Sequence, residues 1–590
     1  MRDHALIGNG QASALVNDEG TITWLCLPRP DSPPVFGQTL DPAGGAWSIA
    51  APGARLERQA YRTNTAILES DFVTPEGDRY RITDFLPRFR QHGRMYRPLQ
   101  VVRIITPLDG LPRVIVDCQP VAGWSREALV PRRGSSHLRW DRAGGELRLT
   151  TDLPLTPLME GRPLLIDGPR HLVMSWDLPM EADLAPTCRD FLERTTDHWH
   201  TWVKRCSIPQ DHQAQVIRSA ITLKLHCFEE TGAVLAAPTT SLPETPGEER
   251  NWDYRFCWLR DAWFTVSALS RLGHLDDLEG LMGFLMDRVR SVGPDGRLAP
   301  VYRIDGTLPL PEIIHPAWAG AAGSQPVRSG NQAAEHVQND VYGEMLLTLA
   351  TLFRDERLAH LRDHHRQGLL TFLAERCRDT LGESDAGLWE LRGGWKAHAF
   401  PTLLSWAGLR TYERLCRNHR VPGPIAPWTR ARRQSEHLLQ RSVADGVLWN
   451  APGDRVPDAS LALAVLLDHP DRALCRRTLA TITRDLEVLR DGHKTGFFFR
   501  YRYPDDFGSP QHAFVVCSFW IAEAHARLGQ MAEGRRIFRQ ALQAANHVGL
   551  MAEHWDPQSG TAHGNFPQCY SHVGLIGAAF ALSPTAPLLG

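Results

Sequence analysis

The chain of 590 residues predicts a two-part molecule, an N-terminal antiparallel β-sandwich followed by an (α/α)6 barrel. Three observations carry this. The length exceeds what one ordinary core organises. The apolar pattern changes near residue 208 from alternation to a three-to-four-residue repeat. Within the second part, short and long links between helices alternate.

Up to about residue 190, short alternating runs are broken by Gly, Pro and Asp. Examples are Gly20-Thr21-Ile22-Thr23-Trp24-Leu25 and Leu99-Gln100-Val101-Val102-Arg103-Ile104-Ile105, both strand-like. The expected boundaries are a sandwich over 1–190, a linker over 191–209 and a barrel over 210–590. Twelve helices are predicted, centred near residues 220, 265, 284, 343, 370, 408, 434, 463, 478, 520, 540 and 575. Links after the even-numbered helices are short and those after the odd-numbered ones long. In an up-and-down array alternate connections share one end, so the long loops gather over one mouth, where a rigid scaffold best presents functional residues.

Charge is nearly balanced, with 65 Lys and Arg against 67 Asp and Glu, which argues against a nucleic-acid partner. The opening Met1-Arg2-Asp3-His4-Ala5-Leu6-Ile7-Gly8-Asn9-Gly10 lacks a secretory apolar core, and no later run is long enough to span a bilayer, so a soluble cytoplasmic protein with no membrane partner is expected. The 11 cysteines are scattered without a Cys-x-x-Cys pair and read as reduced and structural. No His, Cys and Asp grouping has convincing metal spacing, so no cofactor is expected and the metal assignment is none.

Four constellations fall in or beside the long loops. The segment Arg250 to Trp263 contains Tyr254, Trp258, Arg260 and Asp261 at a helix start. Its Arg-Asp pair fits either a capped helix with a salt bridge or paired donors and acceptors aimed at sugar hydroxyls. Gly387-Leu388-Trp389-Glu390-Leu391-Arg392 and Ala552-Glu553-His554-Trp555-Asp556 each set a carboxylate beside an indole. An indole face binds a sugar ring, and a carboxyl against an apolar ring loses hydration and stays protonated as a general acid. For Glu390 an ordinary surface pair with Arg392 fits the same residues. The fourth run, Phe498 to Asp506, alternates aromatic and cationic residues and reads as a sugar site or as a hairpin with a solvated face.

In order along the chain, Trp258-Leu259-Arg260-Asp261, Leu388-Trp389-Glu390, Arg502-Tyr503-Pro504-Asp505-Asp506, Glu553 with Asp556, and Gly564-Asn565-Phe566-Pro567-Gln568 resemble glycoside hydrolase family fifteen, the glucoamylase and bacterial trehalase-like enzymes. Ala5 to Gly10 and Thr23 to Pro33 resemble the opening of the trehalase-like members.

The resemblance implies an inverting exo-acting α-glucosidase that releases β-glucose, with Glu390 as general acid and Glu553 as general base. Their carboxyl groups should lie about 6.5–9.5 Å apart, room for a water. By the same matching Tyr254, Trp258, Arg260, Asp261, Trp389, Arg392 and Arg502 would bind the sugar, while Asp556 and Gln568 gain no defined role. Gln325 and the Trp395-to-Thr402 stretch depart from the family pattern, on what is expected to be the aglycone side.

Trehalose stands first among the expected substrates, ahead of maltose, isomaltose or short α-glucans. An inverting disaccharide phosphorylase is the alternative of another class, disfavoured by a Glu at the base position, and a non-catalytic sugar-binding protein is disfavoured by both acids being present. The partner is a small carbohydrate, and a sandwich beside a helical ring leaves surface for a homodimer.

Overall fold

A computed structural model describes residues 3–292 and 296–584. Met1, Arg2 and residues 293–295 and 585–590, which include both outer ends of the predicted domains, lie outside the described residues.

The N-terminal part is an antiparallel β-sandwich. One sheet runs in the order His4–Gly8, Ser13–Asn17, Ile22–Cys26, Ala46–Ala50, Arg113–Gln119, Leu164–Leu165, with Pro34–Phe36 added beside Ile22–Cys26. The other runs Arg132–Arg133, His137–Arg142, Gly145–Thr151, Arg170–Trp176, Gln100–Asp109, Arg79–Phe85, Leu68–Val73, Arg55–Tyr61. Between them sit Trp24, Trp47, Tyr80, Trp140 and Leu172, all buried. A fully buried Arg103 crosses this core. It donates to Asp84 in its own sheet at 2.8 Å and to the Trp47 carbonyl of the facing sheet at 2.7 Å, so a charge taken out of water keeps its hydrogen bonds.

Much of the segment read as a linker is helical. Leu184–Val203 is one helix whose buried residues Cys188, Phe191, Thr195, Trp199 and Trp202 recur at helical spacing. Its Cys188 and Phe191 pack with Phe85, Val102, Ile104 and Val173, covering the outer face of the second sheet.

The remainder is the (α/α)6 barrel: α1 (Gln213–His226), α2 (Leu259–Arg271), α3 (Asp276–Arg290), α4 (Asp340–Arg354), α5 (His364–Asp379), α6 (Ala399–Arg417), α7 (Ala426–Arg441), α8 (Leu463–Leu466, led by a 3-10 turn at Ala459–Ala462), α9 (Arg472–Leu486), α10 (Val515–Arg527), α11 (Met531–Ala541) and α12 (Cys569–Leu582). The predicted centres fall within these helices, including the short one near 463. Even-numbered helices pack on one another in sequence, and α12 returns to α2 to close an inner ring; odd-numbered helices lie outside. Burial agrees. α10 is buried from Val515 to Ala526, as a helix enclosed on every side must be, whereas α11 buries only Gly534, Ile537, Phe538 and Ala541.

The long loops, residues 227–258, 291–339, 380–398, 442–458, 487–514 and 542–568, all lead into inner helices, so the N-termini of the inner ring face one mouth. Their unpaired N–H groups and partial positive charge favour acidic groups there. No described helix is long and apolar enough to cross a membrane.

Close helix approach fixes two glycines. A Cβ on Gly343 of α4 would lie 2.4 Å from the Leu404 carbonyl of α6, and one on Gly408 would lie 3.2 Å from the Gly343 Cα. Gly343→Ala should therefore destabilise the barrel by about 1–3 kcal/mol through overpacking, read as a lower thermal midpoint; an unchanged midpoint would mean the two helices can separate freely.

Candidate active site

The start of α2 supplies the first group of side chains. Trp258 ends a two-residue strand, Cys257–Trp258, paired with Val301–Tyr302, which turns directly into the helix. Arg260 and Asp261 then occupy its first turn, both buried. The Arg260 guanidinium donates through Nε to the Tyr570 hydroxyl at 2.7 Å, through Nη1 to Gln338 at 3.0 Å and through Nη2 to Glu390 at 3.0 Å. Burial, with Glu390 and Glu553 adding repulsion and Arg260 opposing, lifts the Asp261 carboxyl to about 7.

Glu390 sits in the loop before α6. Its backbone is left-handed at φ +60°, an uncommon conformation for a residue with a side chain. A short turn holds it there: Glu390 N–H donates to the Gly387 carbonyl at 3.2 Å and Leu391 N–H to the Ala386 carbonyl at 3.0 Å. Beneath the turn, Asp385 accepts from the Asn339 and Gly387 amides, and burial lifts its carboxyl to about 8. Gly387 is required by contact as well as by its φ of +66°, since a Cβ would meet the His398 ring at 2.9 Å. Glu390 Oε1 accepts from the Trp258 indole at 2.6 Å and from Arg260. The indole that serves Glu390 is thus Trp258 rather than the adjacent Trp389, whose Nε1 donates to Asp458 at 2.9 Å. Trp389 still walls the pocket, edge-on to Tyr501 and Phe514.

Glu553 comes from the loop before α12 and is buried. Its carbonyl accepts from Val515 N–H at 3.0 Å, tying it to the start of α10. The Tyr254 hydroxyl donates to Oε1 at 2.7 Å; burial, then the Glu553 charge, keep this phenol's pKa well above its ordinary value. Oε2 lies 3.4 Å from His554 Nδ1. Behind His554 stands Glu244, which accepts from Arg500 at 3.0 and 3.3 Å. Burial opposes the Glu244 charge, yet Arg500, His554 and Arg250 outweigh it and hold the carboxyl down to about 2. Glu244, Glu553 and His554 each place one possible metal-ligand atom within 4.8 Å of the others. A cation there would compete with Arg500 and Arg250 for Glu244.

Tyr254, Trp258, Arg260, Asp261, Trp389, Glu390, Arg392 and Glu553 line one pocket at the barrel mouth. Arg502 does not. It is exposed, donates to the Glu487 carbonyl at 3.2 Å and lies over Phe499, while Arg500, two residues earlier, faces the pocket. A strand-like alternation read from the sequence could not separate two arginines of the same parity, and both in fact follow the strand His493–Phe498. Asp556 serves a turn, accepting from Gln558 N–H at 2.8 Å, whereas Gln568 lines the pocket and caps α12 through Ser571 N–H. Gln325 is exposed and binds the Trp318 carbonyl; Trp395 packs edge-on against His336 at the rim. Sequence reasoning missed Glu244, Asn331, Gln338, Phe507 and Tyr570 as site residues, while Asp506 belongs to the run read as a possible sugar site. Of these, Tyr570 had the best signal, two residues after Gln568 at a helix start.

Residues 210–580 match the family described as glycosyl hydrolases family 15, and residues 1–127 match a trehalase-like N-terminal family. The chain belongs to glycosyl hydrolases family 15. This family-15 chain is 28% identical to a trehalase of Thermoplasma volcanium, with 98% of this chain and 92% of the relative covered. It is 30% identical to a trehalase of Mycolicibacterium smegmatis, covering 98% and 90%. A crystal structure of a bacterial glucoamylase complexed with acarbose superposes with a TM-score of 0.68 at 13% identity, over 98% of this chain and 94% of that one, and so shares the sandwich-and-barrel fold. As a member of the family the protein is a glycoside hydrolase.

Two outcomes follow from the geometry. A Cβ on Gly564, whose φ is +82°, would lie 2.9 Å from both Cβ and Oε2 of Glu553, so Gly564→Ala should lower kcat by about tenfold to a hundredfold by moving that carboxylate; unchanged kinetics would show that the Glu553 position is not critical. Asp261 has a folded pKa near 7 against an ordinary 3.8, so the native state holds the extra proton and this group's contribution to stability falls as pH rises from about 4 to 7. The thermal midpoint of Asp261→Asn relative to the parent should climb across that window and level off above it; a pH-independent difference would contradict this.

Proposed function

We propose that this glycoside hydrolase cleaves trehalose with inversion, releasing β-glucose from the attacked ring and α-glucose as the leaving sugar, with Glu390 as general acid and Glu553 as general base. The observation that carries the reading is topological. Glu390 precedes α6 and Glu553 precedes α12, and these helices are three places apart in a closed ring of six, so the two carboxylates enter the pocket from opposite sides. A sugar ring between them has one acid at its glycosidic oxygen and the other across its anomeric carbon. That arrangement suits a direct displacement by water, which requires a wider separation than a covalent route.

The partners of the two acids fit the roles. Trp258 and Arg260 both donate to Glu390 Oε1, leaving Oε2 as the oxygen to carry the transferable proton. Tyr254 donates to Glu553 Oε1 and orients the carboxylate, so Oε2 takes the proton from the attacking water. Arg260, Asp261 and the Trp389 wall hold the terminal glucose, with Arg392 at the rim toward the second sugar. Trehalose is favoured over other α-glucosides because relatives named trehalase align along 98% of the chain and the first 127 residues match the trehalase-like N-terminal family.

Proton NMR of purified enzyme on trehalose, maltose and isomaltose, without phosphate, tests this directly. Trehalose should be consumed fastest and give β- and α-glucose in equal initial amounts, the β anomer from the attacked ring and the α anomer from the leaving sugar; α-glucose alone at early times, or preference for another disaccharide, would overturn the stereochemical or the substrate assignment respectively. Glu553→Gln should lose about 10²–10⁴ in kcat on trehalose. Glu390→Gln should lose most on substrates whose leaving group needs a proton, and an unaffected rate in either variant would remove that residue from its role.

A further inference from the structure

We propose that the β-sandwich domain controls selection of the leaving sugar, by clamping a hairpin whose Glu312 aims Arg392 at the pocket rim. The proposal rests on the reading above, in which the terminal glucose lies inside and the second sugar meets the rim.

The hairpin is the pair Ile313–Ile314 and Arg328–Ser329, in the long loop between α3 and α4. It has no core of its own: Ile313 and Ile314 are 51% and 55% exposed. An isolated two-stranded ribbon is only marginally stable in water, so its position must come from outside. Thr240 and Ser241 of the barrel hold the Arg328 backbone, each at 2.8 Å.

The other side is held by the sandwich. His315 stacks on Trp124, ring centroids 4.2 Å apart and planes 9° apart, and its Nε2 meets Ser329 Oγ at 2.7 Å. Trp318 donates to the Trp124 carbonyl at 2.9 Å, and its ring lies so close to Gly37 and Gly44 that a Cβ on either would come within 2.7 Å. Asp41 accepts from Ala319 N–H at 2.8 Å.

Glu312, next to this clamped strand, does not line the pocket but joins two arginines. It accepts from Arg328 at 2.9 Å and from Arg392 Nη2 at 3.0 Å. Arg392 does line the pocket, with its guanidinium 5.2 Å from the Phe507 ring centre. A half-exposed arginine left alone samples many rotamers, and fixing it beforehand removes that ordering cost from substrate binding. Glu312 is therefore a positioning residue, and Trp124 acts on the same arginine from another domain.

The test compares a disaccharide with α-glucosyl fluoride, whose leaving group carries no second sugar. Glu312→Gln and Trp124→Ala should each lower kcat/KM on trehalose by about tenfold, mainly through KM, and leave fluoride release within about twofold of the parent. Equal losses on both substrates, or no loss on trehalose, would overturn the proposal. If Trp124→Ala fails to fold, His315→Ala removes the same stack from the hairpin side and takes its place. Should the parent enzyme release fluoride but ignore trehalose, the substrate reading fails separately, and the same ratio is measured on whichever disaccharide it turns over fastest.

Discussion

The Arg260 guanidinium is the constraint on which the pocket depends. Around it stand Asp261, Asp340, Glu344 and Glu390, three of them fully enclosed, and an acid in that setting is costly to ionise without a nearby cation. Burial together with Asp340 pushes the Glu344 carboxyl well above its ordinary range. Arg260 is itself buried, and its charge is kept by hydrogen bonds to Tyr570, Gln338 and Glu390. These partners arrive from the start of α12 and from the loops leading into α4 and α6, so one side chain of α2 ties together the entries of four inner helices at the mouth. Loss of one member of such a buried set strands the others without compensation, which is why pairs like this are strongly coupled to the integrity of their surroundings.

Chain topology explains why the acids gather there at all. Every long loop enters an inner helix, so the inner helices present free N–H groups to the same space in which the carboxylates lie. The same topology leaves the loops without an enclosing barrel wall, and the molecule solves this from the side. The sandwich reaches the 291–339 loop through Trp124, Asp41 and Arg29, the last bonded to Asp305 at 2.7 Å. Arg255 adds a second tie. It is paired with Asp253 and donates to the Ser32 carbonyl of the sandwich at 2.7 Å, while Asp253 also accepts from Gly330 N–H.

Fold and site were legible in the sequence to different depths, for physical reasons. The twelve helices follow from the apolar repeat, because each inner or outer helix must bury a stripe, and even the four-residue α8 keeps that pattern through its leading turn. The helix at Leu184–Val203 carries the same signal in Cys188, Phe191, Trp199 and Trp202, although it spans the expected end of the sandwich at 190 and the expected linker over 191–209. Two of the carboxylates that line the pocket, Glu390 and Glu553, were singled out by motif, as were Tyr254, Trp258, Arg260 and Asp261. What failed was direction. The neighbour of Glu390 in sequence, Trp389, turns to Asp458, while Trp258, far away in sequence, supplies the indole. Arg500 and Arg502 are interchangeable on paper; only the pairing of Arg500 with Glu244, across the barrel mouth, decides which faces inward.

The two carboxylates differ most in how their backbones are held, and this separates what each can do. Glu553 opens into a strand, paired to its neighbours and buried, with Gly564 pressed against it so closely that its side chain has little room to move. Glu390 stands in a left-handed turn that costs roughly 1 kcal/mol or more for a residue with a side chain. Such a conformation persists only where the surroundings over-determine it. Here Asp385 grips the turn from below, His398 fills the space under Gly387, and Trp258 and Arg260 take one carboxylate oxygen from above. A relaxed backbone at this position would point the side chain elsewhere. The framework thus maintains a strained loop that keeps Glu390 in the pocket wall, and the contacts of Asp385, His398, Trp258 and Arg260 offset its cost.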